Sequence, residues 1–384
     1  MKISFVAAHF YPSIFYGGPI SVTWDLSNSL SDKDFDIYVS TTNANGLERL
    51  EVEKNTYVKI KDNFHVKYYH EERINSISLA FIFGIYNDLR NADYVYIQYV
   101  FHYTVFFALF FSYFLKKKVV ISPRGSISDY GLSNKKKFLK KIWLKFLIFP
   151  FLSLIDWHAC SSNEELSLRN IFPKSKIHLI NDSIDFNSFQ NSEVFSKVDL
   201  ISKYTNRVPK SVSNIFFSMG RLHSVKRFDV LINAFSIFIK SNKNSKLIIA
   251  GADYGVEDSL RRQIKNNNLE NSIFLIGSVN FNDKKILLNN CDYFTLASDY
   301  ESFGIVIAEA LACGKPIIAS NKTPWNDLEQ NKCGIFVSND KNSFSKAFSD
   351  ILKMKFDSKL IKNYAKMNFD NTVSMKGFIQ KIFI

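Results

Sequence analysis

Short apolar runs alternate with longer runs of helical period along nearly the whole chain, and this alternation narrows the possible folds most. In the first half, Lys2–Ala8, Asp36–Thr41, Val66–Tyr69, Tyr94–Tyr99, Val119–Ser122, Asp156–Ala159 and Ile177–Ile180 read as strands. Pro19–Leu30 and Ser161–Asn170 read as helices between them. Several of the strands are apolar on both faces, which requires a parallel sheet covered on both sides. From about Asn187 to Ser213 the sequence turns polar and loses periodicity, as a linker would. A second series follows, with strands at Ile215–Met219, Lys246–Ala250, Ile273–Leu275, Tyr293–Leu296, Pro316–Ala319 and Gly334–Val337. The helices of that series include Phe228–Ser241 and Glu257–Asn267, and one last helix is expected over Asp357–Phe383.

The fold class is therefore α/β, with two Rossmann-like doubly wound parallel sheets expected to face each other across a cleft. The expected domains are 1–190 and 191–362, with 363–384 packing back on the first. A chain of 384 residues suits that size. Charged residues at 22% and hydrophobic residues at 46% exclude a disordered or polytopic membrane chain. Four cysteines without CxxC spacing point to a reducing compartment and not to a disulfide framework or zinc site. Met1–Ala8 reads as a first strand and not as a signal peptide.

The net charge of +13 favours an anionic partner. The cations are spread, with no RNP-like or helix-turn-helix pattern, so nucleic acid is not expected. Two stretches bear on membranes. Tyr99–Leu115 is strongly apolar, yet it is near the lower length limit for a spanning helix and contains His102, so a helix packed on the sheet is expected. Lys135–Trp157 begins with lysines interleaved with Phe, Leu, Ile and Trp. That profile fits either an interfacial helix drawn to anionic lipid or an ordinary amphipathic helix. The expected location is cytoplasmic, with peripheral attachment to the cytoplasmic face of the inner membrane as an extension of that reading.

In doubly wound sheets ligands collect at the carboxyl ends of strands, so the loops there carry the chemistry. The first is His9–Pro19, where Gly17 and Gly18 open a helix that has Pro19 in its first turn. The second is GRLHSVKR, Gly220–Arg227, which sets cations beside a helix N-terminus. Cations are unfavourable there unless an anion joins them. Arg supplies a fork for phosphate oxygens and Lys a mobile charge, which together suit a diphosphate. The third is SDYESFGIVIAEALACGKP, Ser298–Pro316. Glu301 precedes a helix expected from about Gly304, and Glu309 lies inside its otherwise apolar run. A buried glutamate needs a partner, and free N–H groups over Phe303–Val306 can meet a phosphate. There is no dinucleotide fingerprint, P-loop, G-x-S-x-G elbow or H-E-x-x-H. Asp34-Phe35-Asp36 resembles a D-x-D metal motif but reads more simply as a turn before the second strand.

GRLHSVKRFDVLINAF followed by SDYESFGIVIAEALACGKPIIAS resembles the retaining family 4 glycosyltransferases of GT-B fold. Glu301 and Glu309 match that family's E-x7-E motif, and Arg221 and Lys226 its diphosphate-binding pair. The resemblance implies that Arg221 and Lys226 neutralise a leaving nucleoside diphosphate in place of a metal. Glu309 would hold the ribose and Glu301 the donor sugar. Ser302, Phe303, Gly304 and Ile305 would touch sugar and phosphates, and Gly17 and Gly18 would border the diphosphate from the other domain. The implied reaction moves a hexose-type sugar from a UDP- or GDP-sugar to a glycan or lipid-linked acceptor, with no metal or other cofactor. SPRGSISDY and NKTPWNDLEQNKCG resemble the members that build capsule, lipopolysaccharide or O-antigen.

Two departures stand out. Arg124 occupies a loop position where many members have His, and the junction motif, usually Asn-Gly, reads Asp182-Ser183. Arg124 and His102 are the expected acceptor-side residues, although His102 also reads as a plain helix-edge histidine. The competing function is a nucleotide-sugar epimerase of related fold, which would need no acceptor.

Overall fold

The structure is a computed structural model that describes residues 1–46, 48–72, 77–133 and 136–383, with the Ile14 side chain left aside. The chain forms two compact units, Met1–Ser183 together with Asn371–Ile384, and Ile184–Asp370.

In the first unit eight strands form one sheet. Their order is Ile177–Leu179, Ile155–Ala159, Lys118–Ser122, Tyr94–Gln98, Lys2–Val6, Asp36–Thr42, Phe64–Tyr69 and Tyr57–Lys61. All neighbours are parallel except the last pair. Tyr57–Lys61 was not foreseen; none of its residues is buried, and it lacks the apolar run that marks the inner strands. All five residues of Tyr94–Gln98 are buried, because the sheet is covered on both faces. One cover packs Val95, Ile97 and Val105 with Trp157 and Phe172. The other packs Ile3, Phe5 and Tyr96 with Met375, Phe378 and Phe383 of the C-terminal segment.

The second unit holds six strands, all parallel, in the order Ile273–Leu275, Lys246–Ala250, Ile215–Met219, Tyr293–Leu296, Ile317–Ser320 and Gly334–Val337. Phe216, Phe235, Phe238 and Phe348 form the aromatic centre of one cover.

Two sequence expectations change. The supposed linker contains a helix, Lys197–Thr205, started by the Ser196 side chain accepting from Asp199 N–H. Its short amphipathic turn buries only Leu200 and Ile201, too little periodicity to see in the sequence. The last helix is two helices, Ser358–Phe369 and Asn371–Lys381. They part at Asp370, whose extended backbone (φ −67°, ψ 143°) bridges to Ile184 instead of continuing the turn.

Candidate active site

In the second unit the strand order decides which loops meet. Ile215–Met219 lies between Lys246–Ala250 and Tyr293–Leu296, so the direction of winding reverses at this strand. The loops leaving Met219 and Leu296 therefore share one crevice at the carboxyl edge. Asp299 N–H donates to Val225 C=O at 2.8 Å, which ties the two loops together.

The side chains follow. Lys226 Nζ and Glu301 Oε1 form an ion pair at 2.5 Å, with side-chain exposures of 13% and 11%. Ser298 Oγ donates to the same oxygen at 2.6 Å. Arg227, in the left-handed region at φ 50°, reaches both Asp299 and Asp229. Arg221 is exposed and lies over the Tyr254 ring, 5.1 Å from its centroid. His223 accepts from Val225 N–H at 3.2 Å. Its pKa is lowered, first by burial and then by the field of Arg221 and Lys226. Gly251 makes the loop possible: a Cβ there would lie 1.8 Å from Gly220 C=O.

The Ile305–Ala312 helix begins at Gly304, whose φ of 87° suits glycine. A Cβ at Gly304 would come to 3.2 Å from Trp325 Nε1. That indole donates to Phe303 C=O at 2.6 Å and packs on Phe303 and Phe369. The Phe303–Ile305 backbone, and with it the opening of the helix, is thus fixed by a residue more than twenty positions later. Ser302 and Ile305 are half-buried beside it.

Glu309 is buried one face in, as its apolar run demands, and has a partner that sequence reasoning missed. Lys284 Nζ donates to Glu309 Oε1 at 2.6 Å. The ammonium also sits 5.4 and 5.2 Å from the ring centroids of Phe189 and Phe281. The signal was absent from the sequence because Lys284 lies in NDKKILL, an ordinary polar helix start, 25 residues from its partner.

The first unit has an equivalent winding reversal at Lys2–Val6, between Asp36–Thr42 and Tyr94–Gln98. Gly17 (φ 80°) opens the Gly18–Ser31 helix with Pro in its first turn, and Gln98 Nε2 donates to Pro19 C=O at 2.9 Å. His9 stacks on Tyr16 at 3.5 Å between centroids and lies 5.9 Å from the ring of His102. Burial, reinforced by the neighbouring His102, lowers the His9 pKa to about 3; burial lowers that of His102 to about 4. His102 caps the Tyr103–Phe114 helix, so its place at a helix edge agrees with the plainer expectation. Among the described residues, His9 Nδ1, Gln98 Oε1 and Asn43 Nδ2 are buried at the ends of three adjacent strands without a hydrogen-bond partner.

Arg124 is placed differently from expectation. Its side chain is 1% exposed and ion-paired with Asp182, with Tyr96 also in reach at 3.4 Å. The guanidinium charge is taken up inside the unit, which leaves it unsuited to receive an acceptor. The two departures from the family pattern, Arg124 and Asp182, are thus one buried pair. Asp34 lies in a turn at φ 61° and Asp36 opens the second strand.

Two sheets of this kind, each with its crevice at a winding reversal, define the GT-B architecture. Solved structures bear this out. HepE from Anabaena, solved in complex with UDP and glucose, superposes with a TM-score of 0.75 at 19% identity, covering 100% of this chain and 99% of that one. WaaG, a glycosyltransferase involved in lipopolysaccharide biosynthesis, superposes with a TM-score of 0.72 at 12% identity, covering 99% of each. Residues 204–367 match the model of the family described as Glycosyl transferases group 1.

Curated relatives agree. An N-acetylgalactosamine-N,N'-diacetylbacillosaminyl-diphospho-undecaprenol 4-alpha-N-acetylgalactosaminyltransferase of Campylobacter jejuni is 26% identical over 251 residues, 65% of this chain and 63% of that protein. An alpha-1,3/1,6-mannosyltransferase of Dictyostelium discoideum is 25% identical over 225 residues, 54% of each. The chain spans about half to under two thirds of the length of the curated relatives it matches first.

Proposed function

We propose that the chain is a retaining, metal-independent glycosyltransferase. It moves a hexose-type sugar from a UDP- or GDP-sugar to a glycan or lipid-linked acceptor during surface-polysaccharide synthesis. The observation that carries this reading is the crevice of the second unit, where Lys226 pairs with Glu301 and Arg227 with Asp299 just before a helix N-terminus, Arg221 stands exposed on the same loop as Lys226, and Glu309 is buried within that helix.

The chemistry needs no protein nucleophile. As the bond from sugar to phosphate breaks, charge grows on the departing diphosphate and the sugar becomes oxocarbenium-like. Arg221 and Lys226 meet the diphosphate oxygens. The Gly304 and Ile305 amides add their N–H groups at the dipole end of the helix. Glu301, oriented by Lys226 and Ser298, accepts hydrogen bonds from donor-sugar hydroxyls and offsets positive charge on the ring. Glu309, oriented by Lys284, accepts from the ribose hydroxyls. In the first unit Gly17 and Gly18 leave backbone open to the substrate, and His102 with its neighbour His9 offers neutral imidazoles to an acceptor. Relatives that act on diphospho-undecaprenol and diphosphopolyprenol substrates support a lipid-linked acceptor.

The test is product analysis. UDP- and GDP-hexoses are incubated, in EDTA, with a polyprenyl-diphosphate-linked saccharide, and the new linkage is read by NMR. An α-linkage from an α-donor is expected. An inverted linkage, or a changed nucleotide sugar formed without acceptor, would overturn the proposal; the second would indicate an epimerase.

A further inference from the structure

The first unit carries an apolar surface that its own fold leaves open, and it spans three segments. On the Leu79–Arg90 helix, Leu79, Phe83 and Tyr86 follow at i, i+4 and i+7, and Phe83 is 79% exposed. On the Tyr103–Phe114 helix, Phe110, Tyr113 and Phe114 are exposed, the last at 62%. On Lys137–Trp143 and the wide turn Leu144–Ile148 that continues it, Phe138 is 74% and Phe146 60% exposed. Ring contacts link the first two segments, where Tyr86 meets Phe111, and tie the second to Phe149–Leu154, the turn that follows the third, where Tyr113 meets Phe151. The inner sides of these segments are in the core, so the exposed rings are a second face and not misplaced core residues.

Charge is distributed to match. Between Tyr94 and Ile155 the sequence has ten Lys or Arg and a single acid, Asp129. Lys116, Lys136, Lys137, Lys141 and Lys145 are exposed or nearly so beside the rings, and Lys145 lies over Phe146. Apolar rings at the centre with unopposed lysines around them fit a lipid interface, where the rings enter the acyl boundary and the ammonium groups meet headgroup phosphates. A protein partner would have to bring carboxylates to these lysines, whereas an anionic bilayer presents phosphates over its whole surface. Among the described residues no helix is long and apolar enough to cross a membrane. Tyr103–Phe114, 12 residues, would reach about 18 Å at roughly 1.5 Å per residue, against a core of about 30 Å. The basic segment expected from the sequence begins at Lys135, which lies outside the described residues, and the face stands without it.

We infer that this three-segment face docks on an anionic bilayer, lying in the interface without spanning it. The inference extends the reading of the chain as an enzyme of lipid-linked acceptors, because docking would bring the chain to the surface that presents such acceptors.

The experiment is sedimentation of the purified full chain with vesicles of phosphatidylcholine alone or mixed equally with phosphatidylglycerol. The wild type is expected to pellet with the mixed vesicles and to release at high salt only in part, because the rings hold after the charges are screened. Lys137→Glu, Lys141→Glu and Lys145→Glu together should lower partitioning by at least about tenfold. Phe138→Ser with Phe146→Ser should lower it at every salt concentration. Thermal stabilisation by nucleoside diphosphate is measured on the same samples and should be unchanged in both variants. Vesicle-independent sedimentation, or a stable dimer broken by Phe83→Ser, would overturn the docking inference while leaving the sugar-transfer reading intact. Loss of nucleotide stabilisation in the wild type, with vesicle binding retained, would do the reverse.

Discussion

The two units build their crevices on the same geometry and fill them with opposite chemistry. Each places loops at a winding reversal in a parallel sheet. In the second unit that position holds Arg221, Lys226, Arg227, Glu301 and Glu309. In the first it holds Gly17, Gly18, Tyr16, Gln98 and two histidines kept neutral by burial. The difference teaches that the fold supplies only a place for a ligand. A charged crevice suits a diphosphate whose charge changes during reaction, and a neutral one suits hydroxyl groups.

The comparison is sharpest at the ion pair. Glu301→Gln or Lys226→Met should reduce kcat by about 100- to 1000-fold, the scale for losing one group that stabilises developing charge. Circular dichroism should show both variants folded. A residual rate within tenfold of wild type would mean that the charged crevice is not where the bond breaks.

Lys284→Met comes next. It leaves Glu309 buried without its cation and should raise the KM for the nucleotide sugar by roughly tenfold, with the acceptor KM unchanged. Equal shifts in both would make Lys284 a general stabiliser and not a positioning residue. Trp325→Phe removes the indole donor to Phe303 C=O and should cost about 1–3 kcal/mol in urea unfolding, because a buried carbonyl loses its partner.

These residues show what the sequence made legible and what it hid. Arg221, Lys226 and Glu301 stood out because they lie in loops that leave strand ends, and Glu309 because a glutamate inside IVIAEALA is costly without a reason. The strand series was readable for a similar reason, since double burial forces continuous apolar runs. Lys284 and Trp325 were hidden because their partners are 25 and 22 residues away and their own segments look ordinary. The pairing of Arg124 with Asp182 was hidden too: 58 residues apart, they were seen as separate departures and not as one compensated pair. Helix Lys197–Thr205 was lost because it buries only two residues.

The smallest expected effect concerns the neutral crevice. Folding lowers the His9 pKa from 6.5 to about 3, so as pH falls the unfolded chain binds the proton first. The stability this contributes is present above pH 6.5 and is lost toward pH 3, with a slope of up to about 1.4 kcal/mol per pH unit. His102 and His158, lowered to about 4 and about 3, act in the same direction, whereas burial raises the carboxyls of Glu164 and Asp182 and opposes them. His9→Phe should therefore be less acid-sensitive than wild type between pH 6.5 and 4, read as the difference in urea midpoints. An identical pH profile would show that His9 is not held neutral.

The central claim is that the charged crevice binds a nucleoside diphosphate without a metal. Thermal unfolding of wild type and Arg221→Ala with UDP, GDP, ADP and CDP in EDTA tests it most directly. A ligand bound only by the folded state stabilises by about 2.7 kcal/mol at a hundredfold excess over Kd. The account predicts that UDP or GDP stabilises the wild type and that Arg221→Ala loses most of the shift. No shift with any of the four, or an equal shift in the variant, would contradict it.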